Sequence, residues 1–335
     1  MNQHKNILTD TFGRKHTYLR ISLTERCNLR CTYCMPAEGV LLSPKQHIMT
    51  YEEIYTIAEE FVKYGVSKIR LTGGEPLVRK DAEVIIKKLA KLPVELTMTT
   101  NAVLIDKYVA VLKECKIKTL NVSLDSLSAE KNERITRRND LNRVKQNILL
   151  LLEHNFKVKV NCVLMKGIND DEILDFIMWG ANLPLHIRFI EFMPFDGNRW
   201  NLNKMVSLEE IMRKVHTIWN KENVIRLTDA PNDTAKNYKI KGFEGTFAII
   251  SSVTNPFCDS CNRLRLTANG QLKNCLFSTS ESDILTPIRQ GLPIAPIIQK
   301  AVQNKFKIRS GMETMDQFKD TKSHSNNRSM IQIGG

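Results

Sequence analysis

What most constrains this chain is a regular alternation through roughly its first 190 residues. Short β-like runs at residues 18–23, 68–72, 94–99, 119–125, 157–164 and 185–191 are separated by amphipathic helical stretches. The helical patterns cover residues 51–63, 81–91, 105–113, 141–154 and 171–179, with apolar side chains at the spacing of one helix face. Strands separated by helices imply a parallel sheet with right-handed crossovers. Residues two apart on a strand share a face. One parity reads Leu19, Ile21; Ile69, Leu71; Leu96, Met98; Leu120, Val122; Val158, Val160; Ile187, Phe189, an apolar face for the helices. The other reads Arg20, Ser22; Arg70, Thr72; Thr97, Thr99; Asn121, Ser123; Lys159, Asn161; His186, Arg188. A doubly wound sheet is apolar on both faces. The polar parity therefore predicts a wide, open barrel with a cationic lumen.

After Glu191 the pattern changes. A helix is expected over residues 207–219 and strands at 224–227, 238–240 and 246–250, followed by a hairpin whose turn contains Asn269-Gly270. A further helix over 285–302 is interrupted by Gly291 and Pro293. This divides the chain into an N-terminal segment (1–16), a barrel core (17–205) and a C-terminal part (206–335).

Six of the eight cysteines fall into two groups: Cys27, Cys31 and Cys34 after the first strand, and Cys258, Cys261 and Cys275 late in the chain. Cys115 and Cys162 stand in apolar surroundings, as small buried side chains do. The first residues are polar and lack the apolar core of a secretory signal, and the densest apolar run is only Ile148 to Leu152. A reducing, cytoplasmic setting follows, in which grouped thiols read as metal ligands. Three thiolates with a remote fourth ligand make a zinc site. Alternatively, three hold three irons of a [4Fe–4S] cube and leave the fourth open to a chelating ligand. Lys and Arg number 49 against 36 Asp and Glu, a net charge of +13 that suits an anionic small molecule, nucleic acid or an acidic partner.

The C-x3-C-x2-C run from Cys27 to Cys34, with Thr72-Gly73-Gly74-Glu75-Pro76 one strand later, resembles the radical S-adenosylmethionine superfamily. The resemblance implies a [4Fe–4S] cluster on Cys27, Cys31 and Cys34. It also implies S-adenosylmethionine held by Gly74 and Glu75 at its amino group, by Tyr33 at its adenine, and by Ser123 and Met193.

The second group, C-x2-C-x13-C, leads into Cys261-Asn262-Arg263-Leu264-Arg265-Leu266-Thr267, and the chain ends in Gly334-Gly335. Together these resemble the GTP 3′,8-cyclase family of molybdenum cofactor biosynthesis over about residues 17–335. That resemblance implies an incomplete (β/α)6 TIM-type barrel, closed at one side by a C-terminal extension with a second [4Fe–4S] cluster on Cys258, Cys261 and Cys275. GTP contacts would come from Arg20, Arg70, Thr99, Lys159, Arg188, Arg263, Leu264 and Arg265. Gly334 and Gly335 would enter the active site beside an arginine, with Arg263 and Arg265 also counted as catalytic.

The implied reaction is a lyase-type radical cyclisation of GTP to (8S)-3′,8-cyclo-7,8-dihydroguanosine 5′-triphosphate, with 5′-deoxyadenosine and methionine as co-products. A reducing electron donor, a downstream enzyme of molybdopterin precursor formation and a homodimer complete the implied partners, with no stable nucleic acid and no membrane. One departure stands out: Asn101-Ala102 occupies a place where the family commonly has Asn-Gly. Two other readings are a peptide-modifying radical enzyme, which would share both cysteine groups, and a zinc protein that binds nucleic acid, which would suit the charge.

Overall fold

The computed structural model describes residues 6–36, 38–320 and 327–335. Residues 1–5, which belong to the expected N-terminal segment, and residues 37 and 321–326 lie outside the described residues.

The six alternating strands form as β1 (Tyr18–Ser22), β2 (Lys68–Thr72), β3 (Glu95–Thr100), β4 (Thr119–Ser123), β5 (Lys157–Leu164) and β6 (His186–Glu191). Each lies parallel to its predecessor in chain order. The helix at Tyr51–Lys63 shows why the crossovers form where they do. Thr50 and Glu53 make a reciprocal capping box at its start, and Ile54, Ile57, Ala58 and Phe61 bury one face. The apolar strand parity is buried throughout, from Leu19 to Phe189, and Phe176 of a covering helix meets Phe189 edge-on at 6.2 Å. Burying each such side chain contributes about 1.5–3 kcal/mol.

Two local expectations shift. The helix expected at 105–113 is a 3-10 turn, Ile105–Lys107, followed by Val109–Glu114. The 285–302 helix is interrupted as expected, as Leu285–Arg289 and Ala295–Gln303 on either side of Gly291 and Pro293. The helix Ala129–Thr136 was not anticipated: its sequence AEKNERIT carries little apolar periodicity, and Ser128, accepting from the Lys131 amide, starts it instead.

The C-terminal part does more than close one side. Its strands are β7 (Val224–Arg226), β8 (Lys236–Ile240), β9 (Thr246–Ile250), β10 (Arg263–Leu266), β11 (Gln271–Lys273) and β12 (Ser282–Asp283). They extend both edges of one twelve-stranded sheet, in the order β12-β11-β10-β1-β2-β3-β4-β5-β6-β9-β8-β7. β9 runs parallel to β6 and β10 parallel to β1, so the sheet continues across residue 205. Among the described residues no helix is long and apolar enough to cross a membrane.

Candidate active site

Strand register assembles the site. Arg20 lies beside Arg70 on one side and Arg265 on the other. One step earlier, Tyr18 lies between Lys68 and Arg263. Asn121 lies beside Lys159, and Asn161 beside Arg188. Like charges on neighbouring strands repel, so these rows hold together only at a cost to the ligand-free fold.

They face a cavity of about 410 Å³ lined by nine Lys and Arg residues and one acid, Asp233. Burial first, then Arg265, holds Arg20 well below the usual guanidinium range. Burial and Arg188 lower Lys159 to about 8. Burial and Arg70 lower Arg188 to about 10, and burial and Arg263 lower Arg265 to about 10. His186, beside Lys159 in the next strand, is pushed down to about 3 by burial and by Arg188 and Lys159. Buried polar atoms without partners gather on the same face: Arg20 Nε, Arg188 Nε, Arg263 Nη2, Tyr18 Oη, Asn161 Oδ1 and Thr99 Oγ1. Buried donors are normally satisfied. A concave set of unsatisfied cationic donors is a binding site for a polyanion. Asn121, with its amide oxygen turned toward them, accepts from Arg70 and Arg188 at 2.7 and 3.0 Å.

Cys258, Cys261 and Cys275 line this cavity. Their loop is braced from outside: Arg14 donates to the carbonyls of Cys258, Phe306 and Lys307 at 2.8, 2.8 and 2.7 Å. Lys305 donates to the Arg263 carbonyl at 3.2 Å and to that of Asn274. Burial alone would raise the Cys261 thiol, yet Lys305 and Arg263 hold it down to about 6.

The chain terminus enters the cavity. The Gly334 carbonyl accepts from Arg265 at 2.8 Å, and that of Gly335 accepts from Arg20. Gly334 has φ +87°, and a Cβ there would lie 2.7 Å from Thr72 Oγ1 and 2.9 Å from Ser22 Cβ. Only glycine fits. The preceding helix, Met330–Ile333, docks by Ile331 and Ile333, both buried.

The first cysteine loop follows β1. Its backbone amides at Arg30 and Thr32 donate to the carbonyls of Thr136 and Ile135, both at 2.9 Å. Gly74 and Glu75 donate to Thr24 and Arg26, both at 2.8 Å, which seats the Gly-Gly-Glu-Pro turn against the base of the loop. A Cβ at Gly74 would lie 2.4 Å from the Arg26 carbonyl. Glu75, expected to face a ligand amino group, has its carboxylate occupied in the fold: it accepts from Leu77 N, Thr100 Oγ1 and Asn101 N. Burial raises it to about 7 despite those donors. Tyr33 donates to Asp125 at 2.7 Å.

Met193 lines the cavity, whereas Tyr33, Thr99 and Ser123 do not; Ser123 ends β4. Leu264, expected among the GTP contacts, has its side chain in the hydrophobic core and does not line the cavity. Ala102, where glycine was anticipated, adopts φ +60° and is fully buried. Burial of its methyl group, about 0.8 kcal/mol, offsets only part of the left-handed strain, about 1–2 kcal/mol. Tyr18, Lys68, Asn121 and Asn161 were missed as site residues although strand parity marks them. Lys305, Arg309 and Asp233 arrive from irregular segments that carry no such signal.

All six grouped cysteines are free thiols. Within the first group burial raises Cys31 and Cys34, and the neighbouring thiols raise each further. The three thiols of each loop match the ligand number of a [4Fe–4S] cube with one iron open.

Residues 21–180 match the radical SAM superfamily, and residues 185–310 match the family described as Molybdenum Cofactor Synthesis C. The chain is 48% identical to "GTP 3′,8-cyclase, mitochondrial" of Arabidopsis thaliana, over all of this chain and 85% of that protein. It is 40% identical to "GTP 3′,8-cyclase" of Listeria welshimeri, over 98% of this chain and 99% of that one. This chain belongs to the GTP 3′,8-cyclase family. It also spans about half of a longer mouse relative, molybdenum cofactor biosynthesis protein 1, at 46% identity over 98% of this chain and 51% of that protein. Among solved structures, Streptococcus suis SuiB with S-adenosylmethionine superposes with a TM-score of 0.58 at 17% identity, over 81% of this chain and 64% of SuiB. That likeness shows the radical SAM α/β fold. Membership of the family brings a [4Fe–4S] cluster and S-adenosylmethionine.

Proposed function

We propose that this chain is the GTP 3′,8-cyclase of molybdenum cofactor biosynthesis. It converts GTP to (8S)-3′,8-cyclo-7,8-dihydroguanosine 5′-triphosphate, with 5′-deoxyadenosine and methionine as co-products. The observation that carries this is the cavity, where nine cations face one acid, three thiols form part of the wall and the glycine terminus enters. A nucleoside triphosphate brings about four negative charges, which offset the burial and the mutual repulsion that lower Lys159, Arg188 and Arg265.

In this reading Cys27, Cys31 and Cys34 hold the first cluster, and Gly74, Glu75, Tyr33, Ser123 and Met193 surround S-adenosylmethionine. Glu75 acts by holding the turn rather than by reaching the ligand. Together the bound cluster and S-adenosylmethionine supply the radical chemistry that removes the ribose 3′ hydrogen. Cys258, Cys261 and Cys275 would hold a second [4Fe–4S] cluster, which would supply an open coordination site beside the nucleotide. Arg20, Arg70, Lys159, Arg188, Arg263 and Arg265 grip the nucleotide, with Thr99 behind them. Charge-assisted hydrogen bonds of this kind contribute about 1.5–3 kcal/mol each and fix the ribose relative to the base. Gly334 and Gly335 fill the remaining space and exclude water, which protects a reactive intermediate. The barrel core at 17–205 then serves S-adenosylmethionine and supplies part of the GTP cavity, and 206–335 supplies the rest. A protein electron donor, a homodimeric state, a cytoplasmic setting and a downstream enzyme that consumes the cyclised nucleotide belong to the same proposal.

The test is one anaerobic incubation of reconstituted protein with S-adenosylmethionine, dithionite and GTP, read by mass spectrometry. GTP-dependent 5′-deoxyadenosine and a nucleotide isomeric with GTP are expected. Absence of both, in protein carrying both clusters, would overturn the assignment.

A further inference from the structure

Along β5 one face changes character from one end to the other. Lys159, Asn161 and Val163 share that face, the half-buried one of the strand. Lys159 lies among the cavity cations, beside Asn121. Val163 is tied to the first cysteine loop: its amide donates to Asp125 Oδ1 at 2.8 Å, and Asp125 Oδ2 accepts from Tyr33 at 2.7 Å. Asn161 falls between them, about 7 Å from each along the strand. Across the sheet it has Ser123 on one side and Arg188 on the other. It lines the cavity, whereas Ser123 does not. Its backbone is fixed by the fold, with the carbonyl accepting from Leu124 N at 2.9 Å.

The Asn161 side chain stands apart from its neighbours. Its Oδ1 is buried and accepts from nothing. The unpartnered atoms of Arg20, Arg188, Arg263, Tyr18 and Thr99 are N–H donors or hydroxyls, which phosphate oxygens satisfy. An amide oxygen needs a donor instead. Other acceptors of the cavity already have theirs. Asn121 takes Arg70 and Arg188, and the Asp233 carboxylate takes Thr234 N, Ala235 N and Asn237 Nδ2 at 2.8, 3.3 and 3.0 Å. One comparable atom, Asn262 Oδ1, lies beside Cys261 just before β10, and β1 to β4 separate β10 from β5.

A nucleoside triphosphate carries donors in two places, the base edge and the ribose hydroxyls. With its phosphates among the cations and its ribose turned toward S-adenosylmethionine, the hydroxyls come to the level of Asn161. We infer that Asn161 Oδ1 accepts a hydrogen bond from a ribose hydroxyl of GTP, which makes Asn161 a determinant of ribonucleotide specificity and aligns the ribose 3′ C–H with the first cysteine loop. The inference rests on the functional reading above and deepens it. A site built to bond a hydroxyl rejects the analogue that lacks it, because the buried acceptor is then left unpaired.

The test uses reconstituted holoenzyme with S-adenosylmethionine and no reductant, so that binding is read without turnover. Calorimetry compares GTP with 2′-deoxy-GTP and 3′-deoxy-GTP. The wild type should bind one of the two analogues about three- to tenfold more weakly than GTP. Asn161→Ala should lose that preference, with GTP falling to the affinity of the analogue. Asn161→Asp, which keeps an acceptor oxygen, should retain the preference even as its charge weakens all three nucleotides together. Comparing nucleotides within each variant removes any effect of the substitution on the fold. A preference that survives in Asn161→Ala would overturn the inference, as would a wild type indifferent to both hydroxyls. Weaker S-adenosylmethionine binding in Asn161→Ala with the nucleotide preference intact would also overturn it, and would assign the acceptor to the other ribose. A wild-type holoenzyme that binds no GTP would overturn the functional reading, and this inference with it.

Discussion

Around the first cysteine loop the charges that act on the thiols from within the fold are mainly negative, and around the second they are positive. Burial raises Cys27 to about 11 and Cys34 to about 12, with Glu75 adding to the first and Cys27 and Asp125 to the second. Cys261 is equally deep, yet Lys305 and Arg263 bring it to about 6. Both loops offer three free thiols, so the ligand count does not distinguish them. Their surroundings do. The cavity that the second loop lines is bordered by cations, which suits a polyanion. Beside the first loop lie the buried carboxyl groups of Glu75 and Asp125 instead.

The harshest way to break this comparison is to remove one thiol from each loop. Cys31→Ala should abolish both 5′-deoxyadenosine formation and nucleotide conversion. Cys275→Ala should abolish conversion while leaving the first loop's iron and its reductive cleavage of S-adenosylmethionine. Iron analysis with electron paramagnetic resonance, alongside product assays, separates the two. If Cys275→Ala also stopped cleavage, the loops would not be independent.

The glycine terminus lies between the two regions, touching Thr72 and Ser22 on one side and Arg20 and Arg265 on the other. Gly334→Ala forces a Cβ into a space of 2.7 Å at a φ of +87°. A misplacement of this size costs about a hundredfold in turnover. Residues appended after Gly335 should abolish cyclisation outright, with iron content unchanged in both variants. Wild-type turnover in the extended chain would show that the terminus is merely parked there.

Next in size are the cavity cations. Arg188→Ala removes a guanidinium from beside Asn161 and Asn121. The lost charge-assisted bond, about 1.5–3 kcal/mol, corresponds to roughly ten- to hundredfold weaker GTP binding. S-adenosylmethionine affinity should not move. A matched loss for both ligands would dissolve the distinction between the two pockets.

Much of this division can be read from residue order, and the remainder fails for identifiable reasons. Period-two alternation puts Arg20, Arg70, Lys159 and Arg188 on one face before any coordinates are consulted, because a strand has only two faces. Tyr18, Lys68, Asn121 and Asn161 obey the same rule. Leu264 fails the rule, and its side chain is in the core accordingly. Lys305 and Arg309 reach the cavity from turns between short helices, where no period operates. The attachment of β9 to β6 and of β10 to β1 pairs strands remote in sequence, and nothing local to either partner encodes it. The occupied carboxylate of Glu75 was equally invisible, since its donors at Thr100 and Asn101 belong to the next strand and its following turn.

The subtlest test concerns Lys159, whose ammonium is lowered from 10.5 to about 8 by burial first and then by Arg188, Arg70 and Lys68, with Asp233 opposing. A cation lowered in the fold makes the unfolded chain the better proton binder. Its contribution to ligand-free stability therefore improves as pH rises from about 8 toward 10.5. A triphosphate reverses the sign, because phosphate charge favours the ammonium form and raises its pKa. GTP binding should then take up a proton near pH 8. Its affinity should be flat below that pH and fall by at most about tenfold per unit above it. Calorimetry in buffers of different ionisation enthalpy measures the uptake directly. Lys159→Arg, which stays charged throughout, should abolish both the uptake and the slope while retaining most of the affinity. A slope that survived in the arginine variant would place the proton elsewhere in the cavity. S-adenosylmethionine binding, governed by the other cysteine loop, should show neither effect.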